Sequence, residues 1–122
     1  MKTLVLNGSP KKFGTISTLL KNIIQGIKNF NDTEWINIYD LNLKPCIGCM
    51  KCRQTGICCL PTDDGHMIGE KIKNADNLII GTPTYWGNMS AQLKMVFERN
   101  VPVFMGESKR GLPIPMQKGK KA

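Results

Sequence analysis

Thr3-Leu4-Val5-Leu6-Asn7-Gly8-Ser9-Pro10 is the stretch that decides the fold. An apolar run opens directly into a turn, which reads as a buried strand ending abruptly. Between Thr15 and Phe30, Ile16, Leu19, Leu20, Ile23, Ile24 and Ile27 recur at three- and four-residue steps. That spacing predicts an amphipathic helix starting near Thr15 or Ser17, with a break over residues 29–32. Glu34 to Leu41 alternates through Trp35, Ile36, Ile38, Tyr39 and Leu41, as a second strand does. Asp63-Asp64 then cap a helix through Met67, Ile68 and Ile72 that ends near Asn74. Asn77 to Gly81 is a third buried strand, and Leu93, Met95, Val96 and Phe97 mark a helix after it. Strands alternating with helices predict an α/β fold with parallel strands and right-handed crossovers.

At 122 residues the chain is one domain (1–122), short for a complete α/β sandwich. Its net charge of +8 is concentrated at one end: Lys109, Arg110, Lys118, Lys120 and Lys121 all fall late in the chain. A basic tail without an aromatic platform or a reading helix argues against nucleic acid. The opening apolar run is too short for a signal peptide, and no run spans a bilayer, so no membrane partner is expected. Clustered cysteines without an export signal point to a reducing cytoplasm. Residues 100–122 have no helical period and many glycines and prolines, which predicts an irregular basic tail. A glycine-and-lysine close such as residues 118–122 commonly leads into a further strand. No strand follows it here, so the chain is expected to end mid-fold.

All five cysteines lie in one loop, 45–61, as Cys46, Cys49, Cys52, Cys58 and Cys59. Thiolates two residues apart on a tight loop can point into one small volume, as an iron–sulfur cluster or a zinc ion requires. Disulfide geometry is hard to satisfy between such near neighbours. Three evenly spaced cysteines and a more distant fourth are closer to a ferredoxin run than to a zinc ribbon. A reduced loop that merely packs is the remaining alternative.

Ligands of a doubly wound sheet settle outside the carboxyl ends of its strands, where the strand order reverses. The loops leaving the first and third strands are residues 8–17 and 82–90. In the first, backbone N–H groups at a helix start and the hydroxyls of Ser9, Thr15 and Ser17 can hold a phosphate, aided by Lys11 or Lys12. It lacks the Gly-Lys-Ser/Thr of a triphosphate loop and is not G-x-G-x-x-G; a plain strand–helix connector is the alternative. The second places Tyr85, Trp86, Gly87 and Asn88 where a planar ring can lie, the glycine favouring close backbone approach. Ordinary packing of the two aromatics is the competing reading.

Residues 7–15 (Asn-Gly-Ser-Pro-Lys-Lys-Phe-Gly-Thr), the Cys46-x2-Cys49-x2-Cys52-x5-Cys58 spacing, Asp63-Asp64 and residues 83–94 (Pro-Thr-Tyr-Trp-Gly-Asn-Met-Ser-Ala-Gln-Leu-Lys) together resemble the NADPH-dependent FMN reductase family. The likeness is greatest to its iron–sulfur flavoprotein branch and runs nearly to Arg99. The resemblance implies a flavodoxin-like fold and an oxidoreductase using FMN, with a 4Fe-4S cluster relaying electrons. It also implies a homo-oligomer, dimer or tetramer, and NADPH, NADH or a ferredoxin-like protein as redox partner. Carried over, Ser9, Lys11, Gly14, Thr15 and Ser17 hold the FMN phosphate and ribityl chain. Pro83, Thr84, Tyr85, Trp86, Gly87 and Asn88 line the isoalloxazine. Cys46, Cys49, Cys52 and Cys58 bind the cluster, with Cys59 competing for the fourth place. Ile16 departs from the family, which has a phosphate-binding threonine there. Family members continue through two more strands, so the resemblance implies an incomplete sheet of three strands, in order 2-1-3, from a truncated or split chain, with the third strand as an open apolar edge. No general acid or base is expected, and His66 is read as a helix-start residue. The competing readings are a non-catalytic flavodoxin-like carrier, a cysteine-loop metal module and an inactive fragment.

Overall fold

The computed structural model describes residues 1–27 and 32–117. The expected end of the first helix at Phe30, the break after it up to residue 31, and the lysine-rich close at 118–122 lie outside them. Three parallel strands, β1 (Thr3–Asn7), β2 (Thr33–Asn37) and β3 (Asn77–Gly81), form a sheet in the order β2-β1-β3. Leu4 pairs with Glu34 on one side and Leu78 on the other, so β1 is central. All five β1 residues are buried, which explains the unbroken apolar run Leu4-Val5-Leu6 at its centre.

Helix α1 (Thr15–Gly26) covers one face of the sheet. It stops at Gly26, with Ile27 already extended, although the apolar period continues through Ile27. A period does not register the entropy that glycine forfeits in a helix. Leu20 is buried, whereas Leu19 and Ile23 on the outer side of α1 are exposed. A Cβ added to Gly81 would stand 2.7 Å from Ile16 Cγ2 and 2.8 Å from Leu20 Cδ1. Glycine in β3 therefore lets α1 settle on the sheet. It also gives Ile16 a packing role in place of a phosphate hydroxyl.

The opposite face carries the core, where Leu4 and Leu6 meet Ile38, Ile68, Ile72, Ala75, Leu93 and Val96. These come from a 3-10 turn (Ile38–Asp40) and helices α3 (Asp64–Asn74) and α4 (Ala91–Arg99), with α2 (Cys52–Thr55) a single turn in the cysteine loop. The second strand is shorter than expected. After Asn37 the chain tightens into the 3-10 turn, burying Ile38 completely, and Leu41 N–H donates to the Ile38 carbonyl. Helix α3 starts as expected: Asp63 accepts from the N–H of Gly65, and His66 Nδ1 reaches back to the Asp63 N–H.

Beyond Asn100 the described residues are more regular than expected. A one-turn helix α5 (Val101–Phe104) accommodates Pro102 in its first turn, where a missing N–H costs nothing. An antiparallel ribbon follows, β4 (Met105–Glu107) with β5 (Pro113–Pro115). Prolines fit β5 because only one side of it pairs. Among the described residues β3 pairs only with β1, and Ile80 is 36% exposed, the open edge the sequence implies.

Candidate functional site

The two polar loops leave the same end of the sheet, because β1 and β3 run parallel in register from Thr3↔Asn77 to Asn7↔Gly81. They are stitched together: Gly8 N–H donates to the Gly81 carbonyl at 2.7 Å, and Ser90 Oγ donates to the Gly8 carbonyl at 2.6 Å. A Cβ on Gly8 would approach the Gly81 oxygen to 3.0 Å and Leu93 Cδ2 to 3.1 Å, so a side chain here would push the seam apart by a few tenths of an ångström.

Loop 8–17 is shaped from below by Asn7, whose side chain is fully buried. Its Nδ2 donates to Ser17 Oγ (3.0 Å) and Asn37 Oδ1 (3.1 Å), and its Oδ1 accepts from the N–H of Ser9. Ser17 is buried as well, and its hydroxyl donates to the Lys12 carbonyl at 2.5 Å. Ser17 thus braces the loop from inside, with its hydroxyl already committed. Ser9 Oγ accepts from the N–H of Lys11. Lys11 and Thr15 are exposed, while Lys12 pairs with Asp40 at 2.7 Å. Gly14 stands at the N-cap of α1, with no side-chain cap and no acidic residue in the first turn. The first N–H groups of α1 are therefore open to an anion.

Loop 82–90 is a tight hairpin. Tyr85 and Asn88 exchange backbone hydrogen bonds of 2.8 and 2.9 Å, and the two residues between them both have positive φ, 48° at Trp86 and 72° at Gly87. Positive φ at both central positions is the type I′ pattern, which Gly87 satisfies freely and Trp86 does not. Gly87 thus supplies the turn, and nothing lies within 4 Å of a Cβ built on it. The strained tryptophan is fully exposed and Tyr85 is 46% exposed. Their aromatic surface therefore faces outward rather than into the core. Pro83 and Thr84 lead into the turn, and Thr82 Oγ1, accepting from Ser90 N–H, closes the loop at its base.

The cysteine loop bends at Gly48, Met50 and Gly56, all with positive φ. All five cysteines are free and line one cavity of about 140 Å³, shared with Arg99. Gly48 N–H donates to Cys46 Sγ at 3.4 Å, and Cys49 Sγ lies 3.2 Å from Cys59 Sγ. Among the described residues no three His, Cys, Asp or Glu side chains gather tightly enough to hold one metal ion. A cluster has a different requirement, since each iron takes its own thiolate at a separate corner. Thiols spread around one cavity fit that better than they fit a zinc ion. Hydrogen bonding from the Lys51 backbone, then from Cys59, draws the Cys49 thiol down; the contact with Cys49 pushes Cys59 up, and burial raises Cys52.

Asp63 and Arg99 anchor both ends of this loop. Arg99 donates from Nη1 to Asp63 Oδ2 (2.7 Å) and the Lys44 carbonyl (2.6 Å), and from Nη2 to Asp63 Oδ1 (2.8 Å). Asp63 Oδ2 also accepts from the N–H of Lys44, and His66 Nε2 lies 3.2 Å from the Cys58 carbonyl. The hydrogen bonds from Arg99 hold the Asp63 carboxyl well below the usual carboxylate range. The Arg99 charge is reinforced first by Asp63, against the cost of burial, with the Cys58 thiol adding to it.

Asn7, Ser90 and Arg99 were not among the expected site residues. A polar residue closing a fully apolar strand was the available signal for Asn7. Ser90 and Arg99 act over 82 and 36 positions in the chain, a distance no local pattern reports. No residue lining the cysteine cavity comes from either polar loop.

The model of the NADPH-dependent FMN reductase family matches residues 1–112. An iron-sulfur flavoprotein of Methanocaldococcus jannaschii is 39% identical over 107 residues, covering 87% of this chain and 55% of the relative. An iron-sulfur flavoprotein of Archaeoglobus fulgidus is 37% identical over 107 residues, covering 87% and 52%. The chain thus spans about half the length of the curated relatives it matches. An FMN-dependent NADH-azoreductase from Bacillus anthracis, solved in complex with FMN, superposes with a TM-score of 0.69 at 18% identity, covering 98% of this chain and 65% of its own, a likeness of fold.

Proposed function

The chain belongs to the NADPH-dependent FMN reductase family, and from that membership we propose that its two stitched loops hold FMN in an oxidoreductase whose cysteine loop holds a 4Fe-4S cluster. The observation that carries this reading is the Ser90–Gly8 bond, which fixes an anion-ready helix start beside a turn presenting exposed aromatic surface. When bound, FMN supplies exchange between two-electron and one-electron chemistry, and the cluster a one-electron relay.

The chain's own residues bind and orient. Lys11, Thr15 and the first N–H groups of α1 take the phosphate, on a loop held in shape by Ser9, Ser17 and the backbone at Gly14. Pro83, Thr84, Tyr85, Trp86, Gly87 and Asn88 form the ring-facing side, the turn setting the two aromatics outward. Cys46, Cys49, Cys52 and Cys58 supply the thiolates. Cys59, in contact with Cys49, stands beside that set. NADPH, NADH or a ferredoxin-like protein is the electron donor, and the working form is a homo-oligomer.

The test is anaerobic reconstitution with FMN, iron and sulfide, followed by desalting and a visible spectrum. Paired flavin bands over broad brown absorption are expected, with bleaching of the flavin by NADPH or NADH. A colourless product overturns the reading. Flavin binding without any bleaching by nicotinamide reduces it to an electron carrier.

A further inference from the structure

Arg99 is the most completely buried charge among the described residues. Its side chain is 0% exposed, while that of its carboxylate partner Asp63 is 18% exposed. A guanidinium has five N–H donors. Three are taken by Asp63 and the Lys44 carbonyl, and the buried Nε has no hydrogen-bond partner among the described residues. Burying an unmatched donor is costly, so such a group calls for an acceptor. Arg99 lines the cysteine cavity with Cys46, Cys49, Cys52 and Cys58, and on its other side a hollow with Gly65 and His66.

Asp63 also accepts from the N–H groups of Lys44 and Gly65, so its charge is shared among three partners, while Arg99 keeps an unmatched Nε and is one of the residues lining the thiol cavity. The other charged groups on that wall, Arg53 and Glu98, are exposed and screened by water.

We propose that Arg99 is a positioning residue for the cluster: its buried guanidinium faces the cysteine-held group, donates toward its sulfur and favours its reduced form. This rests on the cluster reading above. A cluster bound by four thiolates gains one negative charge on reduction. A fixed positive charge in a low-dielectric wall stabilises that added charge more than the oxidised state.

The experiment uses the anaerobically reconstituted chain, assayed first for iron and sulfide and then titrated with dithionite under EPR. Arg99→Gln is expected to shift the oxidised-to-reduced ratio at fixed potential about tenfold toward oxidised, equivalent to about 59 mV for one electron. Arg99→Lys keeps the charge but loses the fork, and is expected to stay within about threefold of the parent, as is the control Arg53→Gln. Equal shifts in Arg99→Gln and Arg99→Lys would assign Arg99 a purely structural role and overturn the proposal, as would no shift in either.

If Arg99→Gln does not fold, the parent geometry is read directly by pulsed EPR of the reduced chain carrying Arg53→Lys and Arg110→Lys, with guanidino-15N arginine then confined to Arg99. A nitrogen coupling to the cluster supports the assignment, and its absence overturns it. Absence of iron and sulfide from the parent chain sinks the cluster reading and this inference together. Cluster formation without the charge-dependent shift sinks this inference alone.

Discussion

Ser90 Oγ donates to the carbonyl of Gly8 across 82 residues of sequence. A serine at a helix start ordinarily accepts from the helix's own N–H groups. Here α4 has no side-chain cap, and its N-cap serine holds together the loops leaving two neighbouring strands. Helix stability is given up locally to fix the distance between the loop leading into α1 and an aromatic turn.

Ser90→Ala leaves the Gly8 carbonyl buried without that donor, which costs about 1–3 kcal/mol. Urea unfolding should show a loss of this size. FMN affinity, followed by quenching of flavin fluorescence, should fall more than in Thr84→Ala, which leaves the seam intact.

Trp86 adopts φ of 48°, a region that costs a residue with a Cβ about 1–2 kcal/mol. Trp86→Asn suits the turn better, because asparagine tolerates this conformation. Thermal unfolding should show the variant to be as stable as the parent or about 1 kcal/mol more stable, with weaker FMN binding. A variant both less stable and equally able to bind flavin would remove Trp86 from the ring site.

The Asp63 carboxyl titrates well below its ordinary value of about 3.9, held there by Arg99. A depressed folded-state pKa contributes stability that is complete above the unfolded value and is lost as pH falls through and below it. The stability gap between the parent and Asp63→Asn should be constant from pH 7 to about 5. It should narrow steadily as the pH falls below about 4. Urea midpoints across that range provide the measurement.

Cys58 and Cys59 are adjacent in sequence but differently placed: Cys58 sits against Arg99, and Cys59 against Cys49. Cys58→Ser should abolish iron and sulfide retention after reconstitution, whereas Cys59→Ser should retain most of it. The reverse outcome would exchange their roles.

The three strands were legible because each apolar run is short, sharply bounded and followed by a turn; their parallel direction followed from the alternation with helices, and the order 2-1-3 from the family resemblance. Helices α3 and α4 were legible for the same reason, their apolar period and starting residues being local. The overlong second strand and first helix show the limit of that signal. Ile38 leaves the strand to fill the core, and Gly26 ends the helix against its own apolar period. In the tail, α5 and the β4–β5 ribbon escaped notice because three prolines and a glycine-containing turn look irregular until the strands pair.

By themselves, the residues determined the fold class, the two candidate loops and the grouping of all five cysteines, since each depends on neighbours within about a dozen positions. Only the tertiary structure decided that Ser17 turns inward, that Gly87 serves a turn, that Ser90 joins the loops and that Arg99 lies buried at the cysteine wall. Those outcomes depend on hydrogen bonds and buried charges whose partners meet only when distant segments pack, and burial determines which polar groups must find one another.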